Sequence, residues 1–360
     1  MTDASLLRRV NTRATLGALR GEGLATLTQL GRLTGLSRQT VEAVLDELGE
    51  RGWVREVPPD EGVMGRPARR FGFRADAGHV LGVDVGANKI LVALADLNGE
   101  VIAWERTAVS EGAEAAERLE AARRTAWACV DGAGVSRTSV WAVCVGTSGI
   151  VDRSGRVTLS LVLPGWTGVD LAGLAGRWFD CTGLAANDAN LAALAEHWRG
   201  SAQHASDVVY VLVGHRAGAG ILIGGRLHPG RTGAAGEIGA LRQVGWELAA
   251  AELVSERPAT EIFAAARAGE DEALAAVDRF AENLAIGASA LVLAIDPDLL
   301  VIGGGYSQAG DVLLGPLRRH LTDLCLSAPA VVMSTFGDKS VALGGVRLAL
   351  DHVEREVLDL

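Results

Sequence analysis

The chain has 360 residues, a formal net charge of −10 and 49% hydrophobic residues, enough for two or three domains with sizeable cores. It lacks the run of about 18 apolar residues a membrane span needs, and MTDASLLRRVNTR lacks the apolar centre of a signal peptide, so a cytoplasmic protein is expected. Residues 1–74 carry 12 Arg against 9 acidic residues, a balance of +3, while the rest balances at −13, which directs any nucleic-acid contact to the N-terminal head.

Leu24 to Leu33 reads as a short helix, with Leu27, Leu30 and Leu33 on one stripe. Thr34-Gly35-Leu36 is a tight turn. Ser37 then stands as the N-cap of a second helix, RQTVEAVLDELGERG, whose Val41, Val44, Leu45 and Leu48 face a core. Ser37, Arg38, Gln39 and Thr40 open that helix. Its exposed first turn suits base edges in a major groove. Gly52 ends the helix. Trp53 to Val57 and Arg70 to Phe73 read as two strands around a Pro/Gly-rich tip, which makes a winged helix-turn-helix. Arg66, Arg69 and Arg70 on the wing are placed to reach phosphate or the minor groove. The alternative is a helical hairpin used for dimerisation.

Beyond the wing, LGVDVG and KILVALADLNGEVIAW read as apolar strands in hairpin form, with Asn98-Gly99 as a turn. Cys129, Cys144, Cys181 and Cys325 lie far apart, have no metal-ligand spacing and read as reduced, buried thiols. Several marks follow in order: VGTSGIVD from Val145, LPGW from Leu163, ANDAN from Ala186, VVYVLVGHRAGAGILIGGRLHPG from Val208, AGEIG from Ala235 and IDPDLLVIGGGYS from Ile295. Together with the head they resemble the ROK family of bacterial sugar kinases and sugar-responsive repressors, over about the whole chain. The resemblance implies two actin-like (RNase H-like) α/β lobes around a cleft. The expected division is a DNA-binding domain at 1–76, a first lobe at 77–190 completed by a helix at 341–360, and a second lobe at 191–340.

The resemblance also assigns roles. Asp188 matches the base that takes a proton from the attacking sugar hydroxyl in the kinases. Asn187 and Glu237 match sugar-hydroxyl ligands, with Gly149 beside them in the expected effector site. Asn187 and Asp188 also suit a helix start, so capping is the competing reading. The first phosphate turn keeps Asp84 and Gly86, but Ala87 and Asn88 stand at its Gly and Thr positions. The second keeps Gly214, and His215 and Arg216 follow where small residues are normal. ATP use and kinase activity are therefore not expected.

The family's zinc module, a His followed by a three-Cys loop, is missing. Ala240 replaces the His, and Leu241 to Glu252 contains neither Cys nor His, so no structural zinc is expected. Glu247, the nearest stand-in for the Glu that closes that loop, is counted with the expected effector residues, and Val162 replaces a polar Asn. The expected function is a DNA-binding transcriptional repressor, a homodimer or dimer of dimers on double-stranded operator DNA. Its effector is a sugar or sugar derivative bound in a non-catalytic cleft. An active sugar kinase, or a regulator controlled by a docking protein, are the alternatives.

Overall fold

The structure is a computed structural model that describes residues 3–58, 68–214, 217–246, 249, 252–253 and 257–357. Arg66, His215, Arg216 and Glu247 lie outside the described residues.

The head begins with α1 (Asp3–Glu22), a helix the sequence reading did not assign. Leu16 and Leu19 bury its C-terminal half, while Leu6, Leu7 and Val10 stay exposed. Next come β1 (Leu24–Thr26) and α2 (Leu27–Thr34). The helix expected from Leu24 therefore starts later. The Thr26 side chain accepts from Gln29 N–H, and the Gln29 side chain accepts from Thr26 N–H, a capping box that fixes the start at Leu27. Leu27 and Leu30 are buried but Leu33 is exposed, which corrects the expected stripe.

The second head helix, α3 (Arg38–Glu50), follows the N-cap Ser37, whose hydroxyl accepts from Thr40 N–H at 3.1 Å. Its buried face is Val41, Val44, Leu45 and Leu48. The strands β2 (Val54–Val57) and β3 (Arg70–Phe73) pair antiparallel, and β1 joins the other edge of β3. A helix-turn-helix followed by a paired hairpin is thus the observed arrangement.

The body holds two five-stranded sheets of one design. The first contains β4 (His79–Val85), β5 (Lys89–Asp96), β6 (Val101–Ala108), β7 (Val140–Thr147) and β10 (Thr182–Asn187), in the order β10-β7-β4-β5-β6. Helix α4 (Ala115–Gly132) covers it, and α5 (Leu171–Phe179) packs on β7 and β10. The small hairpin β8 (Ile150–Val151) and β9 (Val157–Leu159) projects from it.

Helix α6 (Asp188–Arg199) leads into the second sheet. That sheet contains β11 (Val208–Val213), β12 (Ala217–Ile223), β13 (Arg226–Leu227), β14 (Leu299–Gly304) and β15 (Ala330–Met333), ordered β13-β12-β11-β14-β15. In both sheets the first three strands run antiparallel, and the fourth and fifth add parallel to the first. Helices α7 (Ala259–Arg267), α8 (Asp271–Ile295) and α9 (Asp311–Leu324) pack with the second sheet around Phe263, Phe280 and Leu317.

The last regular helix, α10 (Ser340–His352), crosses back onto β4 and β7 of the first sheet and lies against α6. Its fit depends on two glycines. A Cβ on Gly82 would sit 1.9 Å from the Ala342 carbonyl oxygen, and one on Gly344 would sit 1.8 Å from that of Leu191. The lobe boundary expected after residue 190 falls inside α6, which is unbroken. Among the described residues, no helix is long and apolar enough to cross a membrane.

Candidate functional site

A cleft of about 600 Å³ opens between the two sheets. Ser148, Gly149, Asn187 and Asp188 line it from the first lobe, and Gly218, Glu237 and Trp246 from the second. Of the expected effector residues, the structure brings Gly149, Asn187, Asp188 and Glu237 to this one cavity.

Asn187 has both roles weighed for it. It is the N-cap of α6: its side-chain oxygen accepts from Asn190 N–H at 3.1 Å, and its amide nitrogen donates to the Gly149 carbonyl at 3.1 Å. Its amide thus already has partners on the protein and pins the Gly149 turn against the helix start. Asp188 is the first helical residue and lies half-buried in the cleft wall. One carboxylate oxygen accepts from Ala189 N–H at 2.8 Å. Burial, then the nearby negative charge of Asp84, push its pKa up to about 7, and Glu237 adds to the effect. Glu237 opens a short 3-10 turn (Glu237–Ala240) and stays exposed, with its pKa raised by partial desolvation of the carboxyl.

The turn between β4 and β5, expected as the first phosphate turn, has the protein's own charges around it. Lys89 Nζ lies 3.4 Å from an Asp84 carboxylate oxygen and 3.7 Å from one of Asp338. Arg106 also pairs with Asp338. Even with Lys89 beside it, the buried Asp84 carboxyl is raised, because desolvation outweighs the ammonium's pull. Behind the turn, fully buried Arg118 donates to the carbonyls of Gly86 at 2.6 Å and Ala87 at 2.9 Å. These partners escaped the sequence reading, since Lys89 and Asp338 are 249 positions apart.

The second turn, after β11, begins at Gly214 and occupies the equivalent hairpin position in its sheet. At the end of β14, Gly303 and Gly304 meet tight packing. A Cβ on Gly303 would lie 1.8 Å from the Tyr210 hydroxyl, and Gly304 has φ +89. The donor set for a zinc module is absent from the chain at its expected place: Ala240 ends the 3-10 turn, and no Cys or His follows through Glu252.

On the head, Arg38 and Gln39 are exposed on the first turn of α3. Thr40 is partly covered, and its hydroxyl lies 2.8 Å from that of Ser37. Arg69 is less free than expected. It bridges both Glu56 carboxylate oxygens at 2.8 and 2.7 Å and stacks over Phe71.

Where the head meets the body, Arg20 of α1 donates to Glu354 at 2.6 Å and to the Leu97 carbonyl at 3.1 Å. It also lies 4.6 Å from the centre of the Phe73 ring. Near the C-terminal end of α6, fully buried Glu196 accepts from Ser201 N–H, the Ser334 hydroxyl and Phe336 N–H. It thereby ties the end of α6 to the segment that enters α10.

The fold and site define a DNA-reading winged helix joined to a two-lobed kinase-like body. The chain belongs to the ROK family, whose model matches residues 80–246 and 247–352. A MarR family model matches residues 11–62. The chain is 26% identical to a xylose repressor of Caldicellulosiruptor bescii, over 98% of each chain. Among solved structures, a ROK family transcriptional regulator homologous to the Escherichia coli MLC protein aligns over 96% of each chain, with TM-score 0.73 and 19% identity. A ROK family glucokinase from Streptomyces griseus, in complex with glucose and AMPPNP, aligns over 76% of this chain and 100% of its own, with TM-score 0.65 and 25% identity.

Proposed function

We propose that the protein is a transcriptional repressor whose DNA affinity is set by a sugar or sugar derivative in the interlobe cleft. The observation that carries this reading is the union in one chain of a capped, exposed α3 first turn with a cleft presenting Asp188 and Glu237. The similarity to a xylose repressor over nearly the whole chain supports it. Hydroxyl-rich ligands suit polar groups that would otherwise lose water without a partner. A ligand alters DNA binding only through its differential affinity for two arrangements of the body and head.

The cleft is read as non-catalytic. Lys89 of the protein itself pairs with Asp84, and the first phosphate turn lacks its Gly and Thr. His215 and Arg216 replace small residues after Gly214, and neither ATP nor zinc is assigned to the protein. Two copies on a pseudo-palindromic site are the expected assembly.

One observation favours a second reading, a kinase that also binds DNA. Asp188 stands in the cleft with its pKa near 7, where a general base works best. The separating experiment measures binding to the protein's own upstream DNA and ATP turnover over one panel of sugars. Sequence-specific DNA binding without turnover supports the repressor. Sugar phosphate formation overturns the non-catalytic reading.

A further inference from the structure

The cleft lining mixes two kinds of group. Asp188 of the first lobe and Glu237 of the second supply carboxylates. The β8–β9 hairpin and the loop after it supply apolar side chains through Ile150, Leu159, Leu161 and Val162. Leu161 is 68% exposed and Leu159 42%.

This apolar segment is held in place. The Ser160 N–H donates to the Thr167 hydroxyl at 3.0 Å, and the Ser160 hydroxyl accepts from Leu163 N–H at 3.3 Å. Leu163 and Trp166 anchor the far end of the loop in the core, and the Trp166 indole N–H donates to the Thr147 hydroxyl at 2.9 Å. The side chains of Leu159 and Leu161 are thus presented to water at a cleft mouth by a loop tied at both ends. Scattered exposed leucines need no explanation, but a fixed apolar segment that shares one cavity with two carboxylates marks a binding groove.

We propose that the ligand of this cleft is a glycoside whose sugar ring meets Asp188 and Glu237 and whose apolar aglycone, aryl or alkyl, lies on Leu159, Leu161 and Val162. The proposal rests on the sugar-sensing reading of the cleft and narrows its ligand class. A free pyranose carries its hydroxyls mostly at the ring edge and can lay only a C–H face on an apolar surface. Edge hydroxyls turned to Leu159 and Leu161 would lose water and gain no partner. An aglycone removes that mismatch and covers apolar surface that is otherwise wet.

The test uses calorimetric titration of the full chain with free xylose, glucose and N-acetylglucosamine, and with the methyl and phenyl glycosides of each. For the sugar that binds, the phenyl glycoside is expected to bind at least about tenfold more tightly than the methyl glycoside. In Leu161→Ser, at an exposed position that carries no core packing, that ratio should fall toward one. Equal affinity of phenyl and methyl glycosides overturns the aglycone proposal and leaves the sugar reading standing. Failure of every sugar and glycoside to bind overturns both. Equal binding of phenol alone overturns the assignment of the sugar ring to Asp188 and Glu237.

Discussion

Arg20 of the DNA head and Glu354 of the body meet at 2.6 Å across 334 positions of sequence. Glu354 lies just beyond α10, on the turn that continues it, and α10 packs along α6, whose first residues line the cleft. One continuous packed route therefore runs from Asp188 through α6 and α10 to Arg20. Glu354→Gln removes the charge but keeps the shape. Its expected effect is on communication rather than on DNA contact. Effector-dependent changes in DNA affinity typically span about 5–150-fold, and in this variant the ratio should fall toward one. Fluorescence anisotropy with labelled DNA, with and without effector, reads both affinities. A full effector response in Glu354→Gln would remove the pair from the route.

Lys89 supplies the cation nearest to buried Asp84. Lys89→Met should leave that carboxylate unpaired and cost about 1–3 kcal/mol, below the full penalty for a buried pair because Lys89 keeps some exposure. Adding Asp84→Asn should return much of the loss. Urea denaturation of the two single variants and the double variant measures the coupling. Additive losses would contradict the pairing.

The Asp188 carboxyl, raised to about 7, sets a direction for pH dependence. A carboxyl whose folded pKa exceeds its unfolded value binds more protons when folded, so stability falls as pH rises through the window from about 4 to 7. Asp188→Asn removes that loss. The variant should be more stable than the parent at pH 8 by on the order of 1–3 kcal/mol, allowing for the side chain's partial exposure, and the gain should vanish below pH ~4. Thermal midpoints across pH check this. A gain that does not change with pH would mean that Asp188 is not the titrating group.

The head separates folding from reading. Ser37→Ala removes the α3 cap and should cost about 1 kcal/mol of stability. Arg38→Ala should leave stability nearly unchanged and weaken operator binding by about 1–3 kcal/mol. Arg69→Ala should weaken DNA binding less, since its guanidinium already bridges Glu56. Binding measured at several salt concentrations ranks the two arginines. A larger loss for Arg69 would reverse their roles.

Much of this was legible in the chain. Ser37 and the Val41-Val44-Leu45-Leu48 period are local signals, and they gave α3 its start and its buried face. Helix α1 was missed because its apolar residues serve two sides, Leu16 and Leu19 inward and Leu6, Leu7 and Val10 outward. The strand Leu24–Thr26 exists through pairing with β3, 44 or more positions away, although the Thr26 and Gln29 capping box was readable. In the cleft, Asp188 and Glu237 were legible through family motifs. The Lys89–Asp338 and Arg20–Glu354 pairs were not, because only the fold brings such distant positions together. The duplicated sheet order left no sequence repeat, since each strand needs only apolar residues and a turn.

The central claim is that a sugar-class ligand in the cleft changes DNA binding without being phosphorylated. The most direct measurement is the affinity for the protein's own upstream DNA across a panel of sugars and glycosides, for the parent and for Asp188→Asn, with phosphorylated product assayed in the same samples containing ATP. The account predicts that one ligand class shifts DNA affinity by at least about fivefold in the parent, that Asp188→Asn loses the shift while still binding DNA, and that no phosphorylated product forms. An unchanged affinity with every ligand, or ATP-dependent phosphorylation of the ligand that binds, would contradict it.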